Sequence, residues 1–214
     1  MEQNNSKKVL LSVLGVAILI VAVVGISFAA LNYDRVGGTN SISTGTVTMS
    51  FAEVTKGIAL NDALPISDTA GKALSGSGQY FDFSVSTAAS TALAIDYEIN
   101  VTPVTITTSD SVGALTDEQV KVYLEKKNAS DTYEQSVAPT LASALTASTV
   151  RVGSKVLKTV TVNHTGTGTL VDEYRLRIWI DENVNVDDLS GTEGKNYEYR
   201  LKVNVDGTAS ALGA

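Results

Sequence analysis

Apolar and polar positions divide this chain into two regimes. From Val9 to Leu31 the sequence reads VLLSVLGVAILIVAVVGISFAAL, without a charge. Beyond it, apolar residues recur at every second position in short stretches. Val47, Met49 and Phe51 share one face of the segment Gly45 to Ala52. Tyr80 to Ser86 alternates in the same way. Leu93, Ile95, Tyr97, Ile99 and Val101 line one face of the next stretch, with Asp96, Glu98 and Asn100 between them. Tyr174, Leu176, Ile178 and Ile180 alternate with Glu173, Arg175, Arg177 and Trp179. Near the end, Tyr197, Tyr199, Leu201, Val203 and Val205 form another such face. A period of two puts alternate side chains on opposite faces, which is the signature of a half-buried strand.

Three other segments carry mixed signals. Thr116 and Gln119 stand at capping-box spacing, but Val120, Val122 and Leu124 alternate with Lys121, Tyr123 and Glu125. With the turn residues Asn128 to Asp131 next, a strand opening a hairpin is predicted. In Lys155 to Asn163, Leu157 is out of phase with Val160 and Val162, which predicts a bulge near Lys158. Ser67 precedes a stretch that it could cap as one helical turn, and residues 137–150 predict a loop with at most one further turn. About eight strands at loose spacing, with little helix, predict an all-β fold. The expected architecture is a single β-sandwich, jelly-roll or immunoglobulin-like, at residues 44–214 after an N-terminal apolar signal or anchor helix.

The apolar run sets the expected compartment. Lys7 and Lys8 precede it, and Ser27 and Ala29 stand at −3 and −1 of a signal-peptidase site. Residues 1–29 therefore read as a signal peptide, or as a signal anchor reaching to about residue 31. In both cases the remainder is exported, since the two lysines hold the N-terminus inside. Membrane contact is expected only through residues 9–31, and only if they are retained. Residues 30–43 contain Gly37-Gly38 and no clear period, so they read as a flexible leader. The chain has 214 residues, no cysteine and a formal charge of −7. An exported domain without disulfides must be stable through packing or through contact with neighbours. Its acidity argues against a nucleic-acid partner held by a basic patch.

Little in the chain points to catalysis. His164 is the one histidine, beside the turn at Gly166, and reads as a structural or surface residue. There is no HExxH helix, GxSxG elbow, P-loop or dinucleotide fingerprint, so no enzyme and no cofactor are expected. The most site-like cluster is Asp181, Asn183, Asn185 and Asp187, whose oxygens resemble the start of a calcium loop. Val186 stands where an EF-hand needs Gly, and Thr192 where it needs a bidentate Glu. A solvated acidic loop or a weak calcium site are the two readings. Tyr33, Tyr133 and Trp179 fall outside the inward sets and are candidate contact aromatics. Asn100, Asn128 and Asn163 each begin an Asn-x-Ser/Thr sequon.

The order of parts resembles a known family. A signal segment ends in small residues, a short leader follows, and Ser43-Thr-Gly-Thr-Val-Thr-Met-Ser50 opens a β-rich, cysteine-free region. This layout resembles the TasA/camelysin family of exported fibre and biofilm-matrix proteins, mainly over residues 9–51. The resemblance implies a jelly-roll domain that self-associates into a polymer outside the cell. It also implies donor-strand complementation, in which the freed leader of one subunit fills a gap in the sheet of the next. Leu31, Tyr33 and Val36 would be the plugs, although their spacing is not a strict alternation. Camelysin's metalloprotease activity has no matching zinc ligands here. Two functions are therefore expected: a secreted filament or matrix subunit, or a membrane-anchored or secreted, adhesin-like binding module.

Overall fold

The structure is a computed structural model that describes residues 40–43, 47–53, 58–61, 63–76, 78–109, 112–185 and 196–210. These belong to the second of two units in the chain, Asp34–Ala214. The signal or anchor segment, Tyr33 and most of the leader lie outside the described residues. Among those described, no helix is long and apolar enough to cross a membrane.

Eleven strands are described, β1 (Asn40–Ser43), β2 (Val47–Glu53), β3 (Ile58–Asn61), β4 (Phe81–Ala89), β5 (Leu93–Pro103), β6 (Val112–Ala114), β7 (Val120–Lys127), β8 (Tyr133–Leu141), β9 (Lys155–His164), β10 (Gly168–Ile180) and β11 (Asn196–Ser210). They form a six-stranded sheet in the order β1-β2-β4-β10-β7-β8 and a five-stranded sheet that includes the path β3-β11-β5-β9. Strand β6 pairs with β11 in parallel, while the other strand pairs are antiparallel. A short helix, α1 (Asp68–Lys72), lies between β3 and β4, and Ser67 Oγ accepts from the Ala70 amide at its N-terminus. A single 3-10 turn follows β8 at Ala142–Ala144. The fold is an all-β sandwich, as the alternation predicts.

The inward faces are those that the period-two pattern marks. On β4 and β5, burial alternates residue by residue along most of the strand. On the inner face of the six-stranded sheet, Phe83 packs against Phe51, Phe81 and Tyr174, with ring centroids 5.3–5.6 Å from its own. Aromatic pairs at such separations add to what burial of their area contributes. From the opposite sheet, Tyr97 reaches across and donates to Asp172 Oδ2 at 2.5 Å. Its hydroxyl also lies 2.6 Å from that of Tyr174. Burial and the Asp172 carboxylate push the Tyr97 hydroxyl far above the ordinary tyrosine range. His164 on β9 lies 3.0 Å from Thr87 Oγ1 on β4, a second polar tie between the sheets. The register shift between β5 and β9 falls at Ile99/Asn100, opposite Lys158 and Val156. Its cause is visible in the sequence as the phase break at Leu157.

Three expectations need correction. Trp179 points to the outer face of the six-stranded sheet, as alternation requires, but it is only 1% exposed. The segment around α1 folds over that face and covers it. A Cβ at Gly71 would lie 2.2 Å from Trp179 Cδ2, so only a glycine lets the helix approach the indole so closely. Arg177, expected outside, is buried as well. Its Nε donates to Leu74 O at 2.6 Å, and its Nη1 pairs with Glu125. The leader is also shorter than expected, because Asn40–Ser43 pair with β2 as an edge strand.

Gly71→Ala should therefore destabilise the domain by about 1–3 kcal/mol through overpacking against a rigid ring. Urea unfolding followed by the fluorescence of Trp179 measures this, and a red-shifted native emission should accompany the loss.

Candidate functional site

The acidic loop leaves the end of β10. Asp181 is buried, and its Oδ1 lies 3.4 Å from Lys121 Nζ. The same oxygen accepts from the backbone N–H of Asn183 at 3.1 Å and from its Nδ2 at 3.0 Å. Burial pushes the Asp181 carboxyl up, but the Asn183 amide and the Lys121 ammonium outweigh it and hold the group below the usual carboxylate range. Asn183 thus donates to Asp181 instead of aligning an oxygen with it. Asn185 is exposed, and Asp187 lies outside the described residues. Among the described residues, no group of three or more His, Cys, Asp or Glu is placed to hold a metal ion. Lys121 also pairs with Asp68 of α1 at 2.8 Å, so the loop, the helix and β7 are tied together.

An apolar groove runs beside this junction. It has a volume of about 520 Å³, and its walls include Ile58 and Leu60 of β3, Leu64 and Ile66 of the following segment, and Ile178 and Trp179 of β10. Leu64 stands on its rim, 71% exposed. The backbone explains why the groove exists. Pairing of β10 with β4 ends at Leu176, opposite Phe81, while β10 continues to Ile180 and stays paired with β7 on its other side. On the β4 side, Ile66 N–H donates to Ile180 O at 3.2 Å. Residues two apart on a strand direct their N–H and C=O to the same side, so those of Ile178 point toward the groove. Strand β3, the edge of the five-stranded sheet, forms the opposite wall.

The other end of β10 has the reverse arrangement. There β10 pairs with β4 from Gly168, but with β7 only from Tyr174. A polar cleft of about 780 Å³ opens between this stretch, the β7–β8 hairpin and β9. Lys126 binds Asp172 at 2.7 Å, and Lys127 binds Asp131 and Glu173. Lys158 and Gln135 also line it. The Tyr97–Asp172–Tyr174 cluster thus lies under the cleft. On the outer face of the same sheet, Arg175 makes a bidentate contact with Asp82 and sits between the rings of Tyr80 and Tyr133, 4.1 and 4.3 Å from their centroids. Tyr133 is therefore half-buried against a cation rather than a bare aromatic.

Of the expected contact residues, Leu31, Tyr33 and Val36 lie outside the described residues. Neither groove was read from the sequence. The alternation marks strand faces, but the grooves arise where neighbouring strands stop short of one another. The one local signal is the stretch Ile58 to Ile66, where Ile58, Leu60, Leu64 and Ile66 are broken by Asn61 and Asp62.

No protein-family model matches the chain, and no curated protein matches it. Among solved structures, it is similar to TmCBM61 in complex with beta-1,4-galactotriose at 7% identity, over 76% of this chain and 88% of that one, with a TM-score of 0.25. At that score the likeness carries no argument about a ligand here.

The Asp181 junction makes a pH prediction. A carboxyl whose folded pKa lies below its unfolded value of about 3.9 contributes stability above that pH, and the contribution disappears as pH falls through the folded value. Asp181→Asn should cost about 1–3 kcal/mol at pH 7. Urea melts at descending pH should show the difference between the two proteins shrinking below about pH 4.

Proposed function

We propose that the chain is an exported structural subunit of an extracellular filament or biofilm matrix, and that subunits join by donor-strand complementation. The observation that carries this reading is the apolar groove beside β10, between the end of its pairing with β4 at Leu176 and its contact with Ile66 at Ile180. An extended segment lying there would extend β4's line in the sheet, pair its backbone with Ile178, and bury alternate side chains against Ile58 and Leu60. The donor is the leader of a second copy. Since Asn40–Ser43 belong to their own sheet, the donor shortens to residues 30–39, with Leu31, Tyr33 and Val36 as plugs. A chain that passes from sheet to sheet at most of its connections supports the jelly-roll form of the sandwich. The absence of cysteine suits a subunit stabilised by its neighbours.

The contact is heterologous: one surface donates and another receives, and such contacts grow into open polymers unless they close into a ring. Export through the general secretory route, with cleavage after Ala29, would free the donor. A binding-module role is the second reading. The polar cleft beside β9 favours it, with its paired lysines and carboxylates able to meet a neutral, hydroxyl-rich ligand.

Deleting residues 30–39 should leave a folded domain that stays monomeric in light scattering and shows no filaments in negative-stain micrographs. Leu64→Asp, on the groove rim, should keep the thermal unfolding midpoint within a few degrees and abolish assembly. Adding a synthetic peptide of residues 30–39 should raise the midpoint of the deleted chain. Full-length filaments from the deleted chain would rule out strand donation.

A further inference from the structure

The three sequons among the described residues differ sharply in what surrounds their amide nitrogens. Asn100 is fully buried on β5, and its Nδ2 donates to Asp206 Oδ2 at 3.0 Å under the segment that carries Arg151. No sugar fits there. Asn128 holds the β7–β8 turn: its Oδ1 accepts from the Ser130 and Thr132 amides at 2.9 and 3.0 Å, and its Nδ2 donates to Glu134 at 2.6 Å. Its nitrogen is engaged, and it lines the polar cleft.

Asn163 is different on each count. It is exposed, one residue from the end of β9, and β9 is an edge strand. Its neighbour across the ladder is the small Ala94, and no strand lies on its other side among the described residues. Its side chain makes no hydrogen bond to the described residues. Thr165, which completes its sequon, is exposed and already outside the strand, and Gly166 and Gly168 follow. Asn163 and Thr165 are thus both open to solvent, on either side of the buried ring of His164, which holds the end of the strand in place.

We infer that Asn163 is an N-glycan acceptor, and that Asn100 and Asn128 are not. The donor is a lipid-diphosphate-linked oligosaccharide, used by a membrane transferase on the side to which the chain is exported. Asn163 Nδ2 forms the new C–N bond to the anomeric carbon. The anomeric C–O bond breaks, the lipid diphosphate leaves with the electron pair, and a base takes one amide proton. A glycan rooted there projects from the outer face of the five-stranded sheet beside its open edge. It would shield β9, an exposed strand edge of the kind that invites unwanted pairing, while leaving the groove at β3 clear.

The test is glycopeptide mass spectrometry on the full chain purified from the cells that make it, with enzymatic sugar release in heavy-oxygen water to mark the attachment site. A sugar on Asn163 alone is the expected result, and Thr165→Ala, which keeps the asparagine, should remove it. An unmodified Asn163 overturns the inference, as does a sugar on Asn100 or Asn128. Melting curves of Thr165→Ala and the parent after sugar release should coincide, which separates loss of the acceptor from loss of the fold.

Discussion

Everything in this domain depends on two sheets staying face to face without a covalent link. The apolar area between them provides the driving force, and it does so without direction. Direction comes from few polar ties. Tyr97 reaches from the five-stranded sheet to Asp172 and Tyr174 of the other, and His164 reaches to Thr87. An unmade hydrogen bond in such a place costs more than a made one contributes, so these ties select one relative placement of the sheets among many of similar packing.

The outer faces are used unevenly. On the six-stranded sheet, α1 and its flanks cover Trp179 and Arg177, and Lys121 pins the helix through Asp68. On the five-stranded sheet, Glu98 and Asp206 stand directly opposite each other, an arrangement that repels. The segment after β8 resolves this: Arg151 pairs with Asp206, and Ser148 donates to Glu98 at 2.5 Å. Both covers are short, irregular stretches that add a third layer to part of the sandwich. Both owe their position to side chains that alternation alone would assign to solvent.

Strand β10 links the core to the surface features. Its middle pairs with strands on both sides; its N-terminal end pairs with β4 before β7 begins, and its C-terminal end pairs with β7 and, on the β4 side, with Ile66 alone. The apolar groove lies at one end and the polar cleft at the other. The difference in chemistry follows from what each end meets. The C-terminal end meets Ile58, Leu60 and Leu64, whereas the N-terminal end meets a hairpin rich in lysine and carboxylate. A strand that outruns its neighbours is thus the common origin of both candidate sites.

Most strands were legible in the sequence because a half-buried strand must alternate, and that constraint is local. The turn at Asn128, the cap at Ser67 and the irregularity near Lys158 were legible for the same reason: each depends on residues within a few positions of one another. Burial of Trp179 was not legible, since it depends on Gly71 arriving from more than a hundred residues away. Nor were the grooves, which depend on where partner strands end. The sequence by itself determined an all-β, cysteine-free chain with known inward faces. Only the tertiary structure decided which outward residues are covered and where β10 outruns its neighbouring strands, because those are contacts between distant segments that no local period encodes.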